Sequence, residues 1–252
     1  MDATRLAVLV AAAGAAGAIN SIAGGGSLVS FPAAVWFGLP PLIANATNTV
    51  ALTPGAVASA IAYRRELAEE RPLVRRLALP AALGGAAGAW LLVVTPPRVF
   101  ETVVPPLVLF ATLLLLMQNL SKGVGDAGRS PMSKRAAWVG QLLVGIYGGY
   151  FGAGMGIVVL ALIARIGRTD IHRMNAAKIV LGAIVNGVAA LGLIAAGKVD
   201  PTAAAAMTVG ATAGGFFGAA LARRIDKAVV RWLVVAVGFA LTAILAYRRF
   251  AS

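Results

Sequence analysis

Few side chains in this sequence could bind a ligand, and most of them lie near two glycine-rich stretches. The first stretch, GGGS, occupies residues 24–27, and the second, GAGMG, occupies residues 152–156. Each interrupts an apolar run, and glycine is a poor residue for a helix interior. A helix that restarts after such a break presents unpaired N–H groups and the positive end of its dipole. Such an end favours an anion.

Amides, hydroxyls and one lysine accompany these stretches. Amide groups donate hydrogen bonds to oxyanion oxygens, and an ammonium adds a full charge. The alternatives stay open, because asparagine at a helix start is often a simple cap and a lysine there can snorkel to the interface. Lys178 is the only basic residue predicted inside a span. The candidate anion-binding residues are Asn20, Gly24, Gly25, Gly26, Ser27, Asn45, Asn48, Thr49, Gly152, Gly154, Gly156, Asn175, Lys178 and Asn186.

Several other chemistries are disfavoured by what the sequence contains. The chain has no cysteine and a single histidine, so cysteine or histidine metal sites and thiolate chemistry are not expected. Its 9 acidic residues fall at the ends of apolar segments or between them, which disfavours a buried carboxylate proton relay or a metal-cation site. The GAGMG stretch lacks the strand and the acidic partner of a dinucleotide-binding loop. We therefore predict no enzyme activity and no cofactor.

Composition places the protein in a lipid bilayer. Of its 252 residues, 60% are apolar and only 12% are charged, and several apolar stretches approach the roughly 20 residues of a membrane-crossing helix. The net charge of +13 comes from short clusters between these stretches. Clusters so placed are topology signals rather than a nucleic-acid-binding face. The prediction is an all-α polytopic membrane protein that binds no nucleic acid.

The chain is an internal duplication with a spacing of 130 residues. Gly24 aligns with Gly154 at this spacing (154 − 24), and LGGAAGA at 83–89 aligns with AGGFFGA at 213–219. Each repeat is expected to contain one glycine-broken helical hairpin followed by three transmembrane helices. The first repeat is 1–120 with a hairpin at 5–38 and spans at 45–63, 77–94 and 102–117; the linker is 121–135; the second repeat is 136–252 with a hairpin at 136–165 and spans at 175–196, 201–222 and 232–247.

Charge distinguishes a hairpin from a single kinked crossing. The segment 27–38 would reach only about 18 Å as a helix, too short for a core of roughly 30 Å. With hairpins, the 21 basic residues outside the spans divide 16 to 5 between the two sides, whereas full crossings divide them 13 to 8. The positive-inside rule favours the hairpins, which make the repeats inverted. Loops at 64–76 and 223–231 and the linker are then cytoplasmic.

Inverted repeats with discontinuous helices are typical of secondary transporters, which bind substrate near the midplane between the repeats. Irregular backbone is tolerated at membrane depth where it lines a cavity. The alternative is that the glycines only permit close helix packing, which is the preferred interpretation for 83–89 and 213–219. For the two glycine-rich stretches, the recurrence of a break beside a short segment favours a binding role.

The paired breaks also carry a family resemblance. The segments GGGSLVSFPAAVWFGLPPLIANATN, from Gly24, and GAGMGIVVLALIARIGRTDIHRMNAAK, from Gly152, resemble the sulfite exporter TauE/SafE family, also called TSUP. The resemblance extends over nearly the whole chain and includes the duplication. It implies a multi-pass carrier in a prokaryotic cell membrane for sulfite, sulfonates or related sulfur-containing anions. The sequence departs from the family pattern at Met155, between two glycines, and at Lys178.

We therefore expect a secondary transporter of small sulfur-containing anions. The alternatives are a membrane-embedded scaffold or accessory subunit whose glycines only pack helices, and a channel. Which anion is carried, in which direction, with which coupling ion, and whether the protein forms a homodimer are left open.

Overall fold

The computed structural model describes residues 3–22, 24–120, 132–167, 170–221 and 227–250. Within these ranges the regular structure is entirely α-helical. The ten helices of the described residues are α1 (Ala3–Ile22), α2 (Ser27–Trp36), α3 (Pro41–Ala62), α4 (Arg64–Val94), α5 (Pro97–Leu120), α6 (Lys134–Tyr150), α7 (Met155–Arg165), α8 (Ile171–Ala195), α9 (Pro201–Leu221) and α10 (Lys227–Phe250).

Length and hydropathy allow several of these helices to cross a membrane. Five such segments occur among the described residues, namely Thr4–Ile22, Arg64–Val94, Pro97–Gln118, Ile171–Ala195 and Pro201–Leu221. The helix α2 has 10 residues and α7 has 11, so each is too short to cross the roughly 30 Å core alone.

Helix α4 departs from the expectation. Hydropathy predicts a loop at 64–76, but this segment is the first part of α4. The prediction of a loop is wrong here because Arg, Glu, Leu and Ala are good helix formers, while hydropathy reports only contact with lipid. The 31 residues of α4 reach about 46 Å, so its charged turns extend beyond the lipid. Of the predicted linker, residues 121–131 lie outside the described residues, as do 222–226 of the second predicted loop.

Two helix pairs make close backbone contact in parallel. Helix α1 packs along α9, where Gly14 approaches Gly210 and Ala18 approaches Gly218. Helix α4 packs along α6 in the same manner, with Gly88 against the backbone of Ile146. A side chain at these glycines would overlap the facing backbone, which is why small residues recur there.

Helices α3 and α8 meet at the centre of the bundle and run antiparallel. Thr53 of α3 lies beside Gly187 of α8, whereas Tyr63, just after the end of α3, shares a buried cluster with Ala176 and Ile179 near the start of α8. Positions therefore descend along α8 as they ascend along α3. Both helix breaks lie against this central pair.

Candidate functional site

The first break joins α1 to α2. The N–H of Gly24 donates to the Ile19 carbonyl at 2.9 Å, and Gly24 has φ +87°. This left-handed residue caps the end of α1, a position that glycine adopts without strain. The N–H of Gly26, just before α2, donates to Asn20 Oδ1 at 2.8 Å. Asn20 therefore links the end of one helix to the start of the next.

The second break joins α6 to α7 and repeats this cap. The N–H of Gly152 donates to the Tyr147 carbonyl at 3.1 Å, and Gly152 has φ +75°. Both glycines bond the carbonyl five residues back, and both are followed three residues later by a new helix. In this bond pattern Gly152 corresponds to Gly24, at a spacing of 128 residues (152 − 24), two fewer than the sequence spacing. Gly154 lies directly before α7 with φ +73°.

Both breaks leave N–H groups unpaired near the new helix starts. Among the hydrogen bonds of the described residues, none is donated by the N–H of Gly25, Ser27 or Gly156. The first turns of α2 and α7 thus retain donors of the kind that binds anions at helix N-termini. Gly24 lies against Gly156 and Ile157, so the two breaks contact one another.

A cavity of about 70 Å³ lies between the breaks and the central helix pair. Eight of the 14 predicted residues line it: Asn20, Gly24, Gly25, Ser27, Gly152, Gly156, Lys178 and Asn186. The structure therefore brings the two glycine breaks and the predicted lysine to one cavity.

Lys178 is the one charged side chain among the lining residues. It is only 4% exposed, and its Nζ donates to the backbone carbonyl of Asn20 at 3.1 Å. Its stem passes Gly156, where an added Cβ would lie 3.2 Å from the lysine Cδ. The side chain is therefore buried against both breaks, and none of the described residues that line the cavity carries a carboxylate.

The other six predicted residues do not line the cavity. Two of them, Asn45 and Asn175, bond to the opposite half of the chain. Asn45 Nδ2 donates to the Tyr150 carbonyl at 2.9 Å, and Asn175 Nδ2 donates to the Ser21 carbonyl at 3.0 Å. Each amide thus pairs a carbonyl at the end of the helix that precedes a break, where helices leave carbonyls unsatisfied.

The remaining four residues contact protein groups next to the breaks. Asn48 Oδ1 accepts a hydrogen bond of 2.6 Å from Ser30 Oγ, and Thr49 Oγ1 donates to the Asn45 carbonyl at 3.0 Å. Gly26 is bonded to Asn20, as described above, and Gly154 lies against Ala111 of α5. These residues shape the breaks from outside the cavity.

Several lining residues were not predicted from the sequence. They are Gly17, Leu52, Gly55, Ala56, Ser59, Met155, Ile179 and Gly182. A helical-face argument would have found some of them, because Gly182 lies four residues from both Lys178 and Asn186 on the same face of α8. Ser59 gave a weaker signal as an isolated hydroxyl in an apolar run. Its Oγ lies 2.6 Å from Ser21 Oγ and donates to the Gly215 carbonyl at 3.0 Å.

The start of α8 is fixed by charged groups on its exposed side. The Asp170 carboxylate accepts from the N–H groups of His172 and Arg173. The N–H of Arg173, followed by that of His172 and by the guanidinium charge of Arg173, holds the pKa of Asp170 below its usual value. Arg173 also pairs with Glu69 of α4 at 2.6 Å. This cap sets the helix on which Lys178 lies two turns further along.

No group of three or more His, Cys, Asp or Glu side chains that could hold a metal ion occurs within the described ranges. The polar groups at the cavity are N–H donors, an ammonium, amides and hydroxyls. Such a set can bind an oxyanion directly.

Several bacterial membrane transporter proteins are similar to this chain in sequence. Probable membrane transporter protein YfcA of Escherichia coli (strain K12) is 31% identical over 245 residues, which are 96% of this chain and 90% of that protein. A probable membrane transporter protein of Haemophilus influenzae is 27% identical over 248 residues, 96% of this chain and 94% of that protein. Probable membrane transporter protein ORF9 of Sinorhizobium is 34% identical over 159 residues, 60% of this chain and 58% of that protein.

No solved structure matches the chain. Residues 9–245 match the family described as sulfite exporter TauE/SafE. The relatives are bacterial and the chain has at least five helices able to cross a membrane, so this is a multi-pass prokaryotic membrane protein. The chain therefore belongs to the TauE/SafE family of membrane transporters.

Proposed function

We propose that the protein is a secondary transporter that carries small anions, such as sulfite, sulfonates or related sulfur oxyanions, across the cell membrane. The anion binds in the cavity between the two helix breaks. One observation carries the proposal: two helix starts and a buried lysine converge on a cavity whose described lining residues include no carboxylate.

Electrostatics support an anionic substrate. A helix start is equivalent to roughly half a positive charge, and two of them add to the full charge of Lys178. An anion in the cavity would bring a full negative charge close to the Lys178 ammonium, whose Nζ donates to the Asn20 carbonyl. The anion would also accept hydrogen bonds from the N–H groups of Gly25, Ser27 and Gly156.

Size favours the smaller members of this substrate class. The cavity of about 70 Å³ exceeds the roughly 10 to 15 Å³ that a cavity needs to hold one water molecule. It is far below the roughly 300 to 1,000 Å³ of a site for drug-sized ligands. A compact inorganic oxyanion matches this volume better than a long-chain sulfonate.

We also infer that the two halves are inverted repeats. Helix α1 corresponds to α6, and α4 corresponds to α9. The contact of α1 with α9 is therefore equivalent to the contact of α6 with α4. The helices α3 and α8, which correspond at the 130-residue spacing, run antiparallel. Both facts support a two-fold relation in the membrane plane, the arrangement that allows alternating access around a fixed site.

One chain supplies the proposed site in full. Both breaks and Lys178 come from the same copy, so the proposal requires no homodimer. Transport leaves the anion chemically unchanged, and the proposal therefore includes no enzymatic step and no cofactor.

Counterflow in proteoliposomes tests the function. Vesicles that contain unlabelled sulfite, with equal pH and equal sodium on both sides, should transiently accumulate labelled sulfite from outside. This design needs no knowledge of the coupling ion. A Lys198→Met variant, changed in the loop between α8 and α9, should behave like wild type. If wild type moves neither sulfite, thiosulfate nor small sulfonates faster than empty vesicles, the proposed substrate class is wrong and a scaffold without transport activity is favoured.

A further inference from the structure

A cluster of cations lies at one end of the packed pair α4 and α6, away from the cavity. In the parallel packing of these helices, Gly84 contacts Leu142 and Gly88 contacts Tyr150. A residue of α4 therefore faces one that is 58 (142 − 84) to 62 (150 − 88) positions later. The same register brings Arg75 and Arg76 level with Lys134 and Arg135. Neighbouring helix axes lie about 8 to 10 Å apart, so all four positive residues lie at one level of this helix pair.

These four cations have no carboxylate partners within the described part of the chain. The Glu69 carboxylate pairs instead with Arg173, and none of the four makes an ion pair there. Three of them are exposed, and Arg76 is half-buried. Like charges at this spacing repel one another, so a bound anion would relieve a cost that the protein itself leaves uncompensated.

The surface beyond the cations identifies the kind of anion. Along α4, Arg75 is followed at intervals of four residues by Leu79 and Leu83, which are 60% and 47% exposed. Along α6, Arg135 is followed at the same intervals by Val139 and Leu143, which are 49% and 60% exposed. Each stripe continues for about 12 Å on one helix face. A charged end followed by an apolar strip matches a phospholipid rather than a soluble polyanion.

Depth in the membrane agrees with this assignment. From Arg76 to Val94, the end of α4, the helix rises about 27 Å, close to the thickness of the hydrocarbon core. The cations therefore lie at the level of the headgroups. Trp138 lies one turn past Lys134 and is half-buried, as is typical of tryptophan at a membrane interface.

We propose that Arg75, Arg76, Lys134 and Arg135 form a binding site for the phosphate headgroup of an anionic phospholipid, with its acyl chains against the apolar stripes of α4 and α6. This lipid is a bound partner of the transporter and not its substrate. The site is independent of the proposed anion cavity.

Native mass spectrometry of the full-length protein in detergent tests the site. Wild type should retain added 1-palmitoyl-2-oleoyl phosphatidylglycerol in preference to the phosphatidylcholine with the same chains. The variant R75Q/R76Q/K134Q/R135Q should lose roughly tenfold or more in affinity for the anionic lipid, because each surface cation contributes to such binding. The affinity of the variant R75Q/R76Q should lie between those of wild type and the fourfold variant. Addition of the lipid should raise the unfolding temperature of R75Q/R76Q less than that of wild type.

The matched control removes equal charge from the same helix. The variant R64Q/R65Q loses two exposed arginines about 15 Å away along α4 and should retain the lipid as wild type does. Equal losses of affinity for the anionic lipid in R64Q/R65Q and R75Q/R76Q would mean that the lipid is attracted by net positive charge alone. That result would overturn the site. Lack of preference between the two lipids in wild type would also overturn it, as would full displacement of the lipid by millimolar inorganic phosphate.

Discussion

The two helix breaks share a backbone geometry and differ in chemistry. Gly24 and Gly152 make the same capping bond. In the first half, however, Asn20 Oδ1 accepts a hydrogen bond from the N–H of Gly26, directly before α2. Among the described residues, no side chain accepts a hydrogen bond from the N–H of Gly154, directly before α7. At the 130-residue spacing, Asn48 of the first half becomes Lys178 of the second, so a neutral hydrogen-bonding side chain is replaced by a charge. The backbone can thus be duplicated while charge is confined to one side of the site.

The largest effect is expected from a side chain at the first break. In Gly25→Val, the new side chain would meet a positive φ of +88° and the Leu115 side chain, since an added Cβ would lie 2.8 Å from Leu115 Cδ1. It would also obstruct the N–H groups at the start of α2. Counterflow of sulfite should be abolished while the protein remains in the membrane.

Gly38→Val is the matched control for Gly25→Val. Gly38 has φ +99° with nothing within 4 Å of an added Cβ, so it carries the backbone strain without the obstruction. It should retain transport. Loss of transport in both variants would attribute the effect to strain rather than to the cavity.

A smaller effect is expected from removal of the charge that distinguishes the halves. Lys178→Met deletes a charge-assisted hydrogen bond to the anion, typically about 1.5 to 3 kcal/mol, or roughly a ten- to hundredfold loss of affinity. Calorimetric titration of sulfite at fixed ionic strength measures it. A change below about twofold would mean that the lysine does not contact the anion. Lys198→Met is the control with the same side-chain change outside the cavity.

The third prediction concerns the asparagine-to-carbonyl hydrogen bond that each half makes to the other. Asn45→Ala and Asn175→Ala should each leave a carbonyl of the opposite half unpaired and lower the free energy of unfolding by about 1 to 3 kcal/mol. The effects should be similar, because the two bonds have matching geometry. Unfolding temperatures of both variants in the same detergent provide the measurement. A destabilised Asn45→Ala beside an unaffected Asn175→Ala would break the equivalence.

The smallest effect is expected at Ser59, which has no hydroxyl counterpart in the second half, where Ala189 stands 130 residues later. Ser59→Ala removes bonds to Ser21 and to the Gly215 carbonyl. Such interhelical bonds in membranes average about 0.6 kcal/mol, so the unfolding temperature should fall slightly. A large loss of sulfite affinity would instead identify the hydroxyl as a ligand for the anion.

The parts of the candidate site that depend on local pattern could be predicted from the sequence. Glycine next to a segment too short to span identified both breaks, and Lys178 and Asn186 were conspicuous as polar residues in an apolar run. The sequence could not distinguish the amides that face the cavity from those that do not. The partner of Asn45 is Tyr150, 105 residues away, and no local pattern specifies that contact. Whether Lys178 snorkels or stays buried depends equally on the packing of other helices around it.

The start of α4 illustrates a different limit. Hydropathy measures the preference of a segment for lipid, and the charges at 64–76 predict that this segment lies outside the membrane. Helix formation depends instead on backbone propensity, which the same residues satisfy. Treating the two properties as one produced the wrong loop.

The glycine contacts of the parallel helix pairs bear on motion. Where Gly14 approaches Gly210, or Gly88 approaches Ile146, backbone lies on backbone and few side chains interlock across the contact. Interdigitated side chains resist the displacement of one helix along its neighbour, whereas a smooth contact permits small sliding movements. The two halves of the chain thus pack against one another along two smooth contacts, α1 with α9 and α4 with α6. We expect the two halves to move during transport by shear along these contacts, whose close fit excludes larger residues.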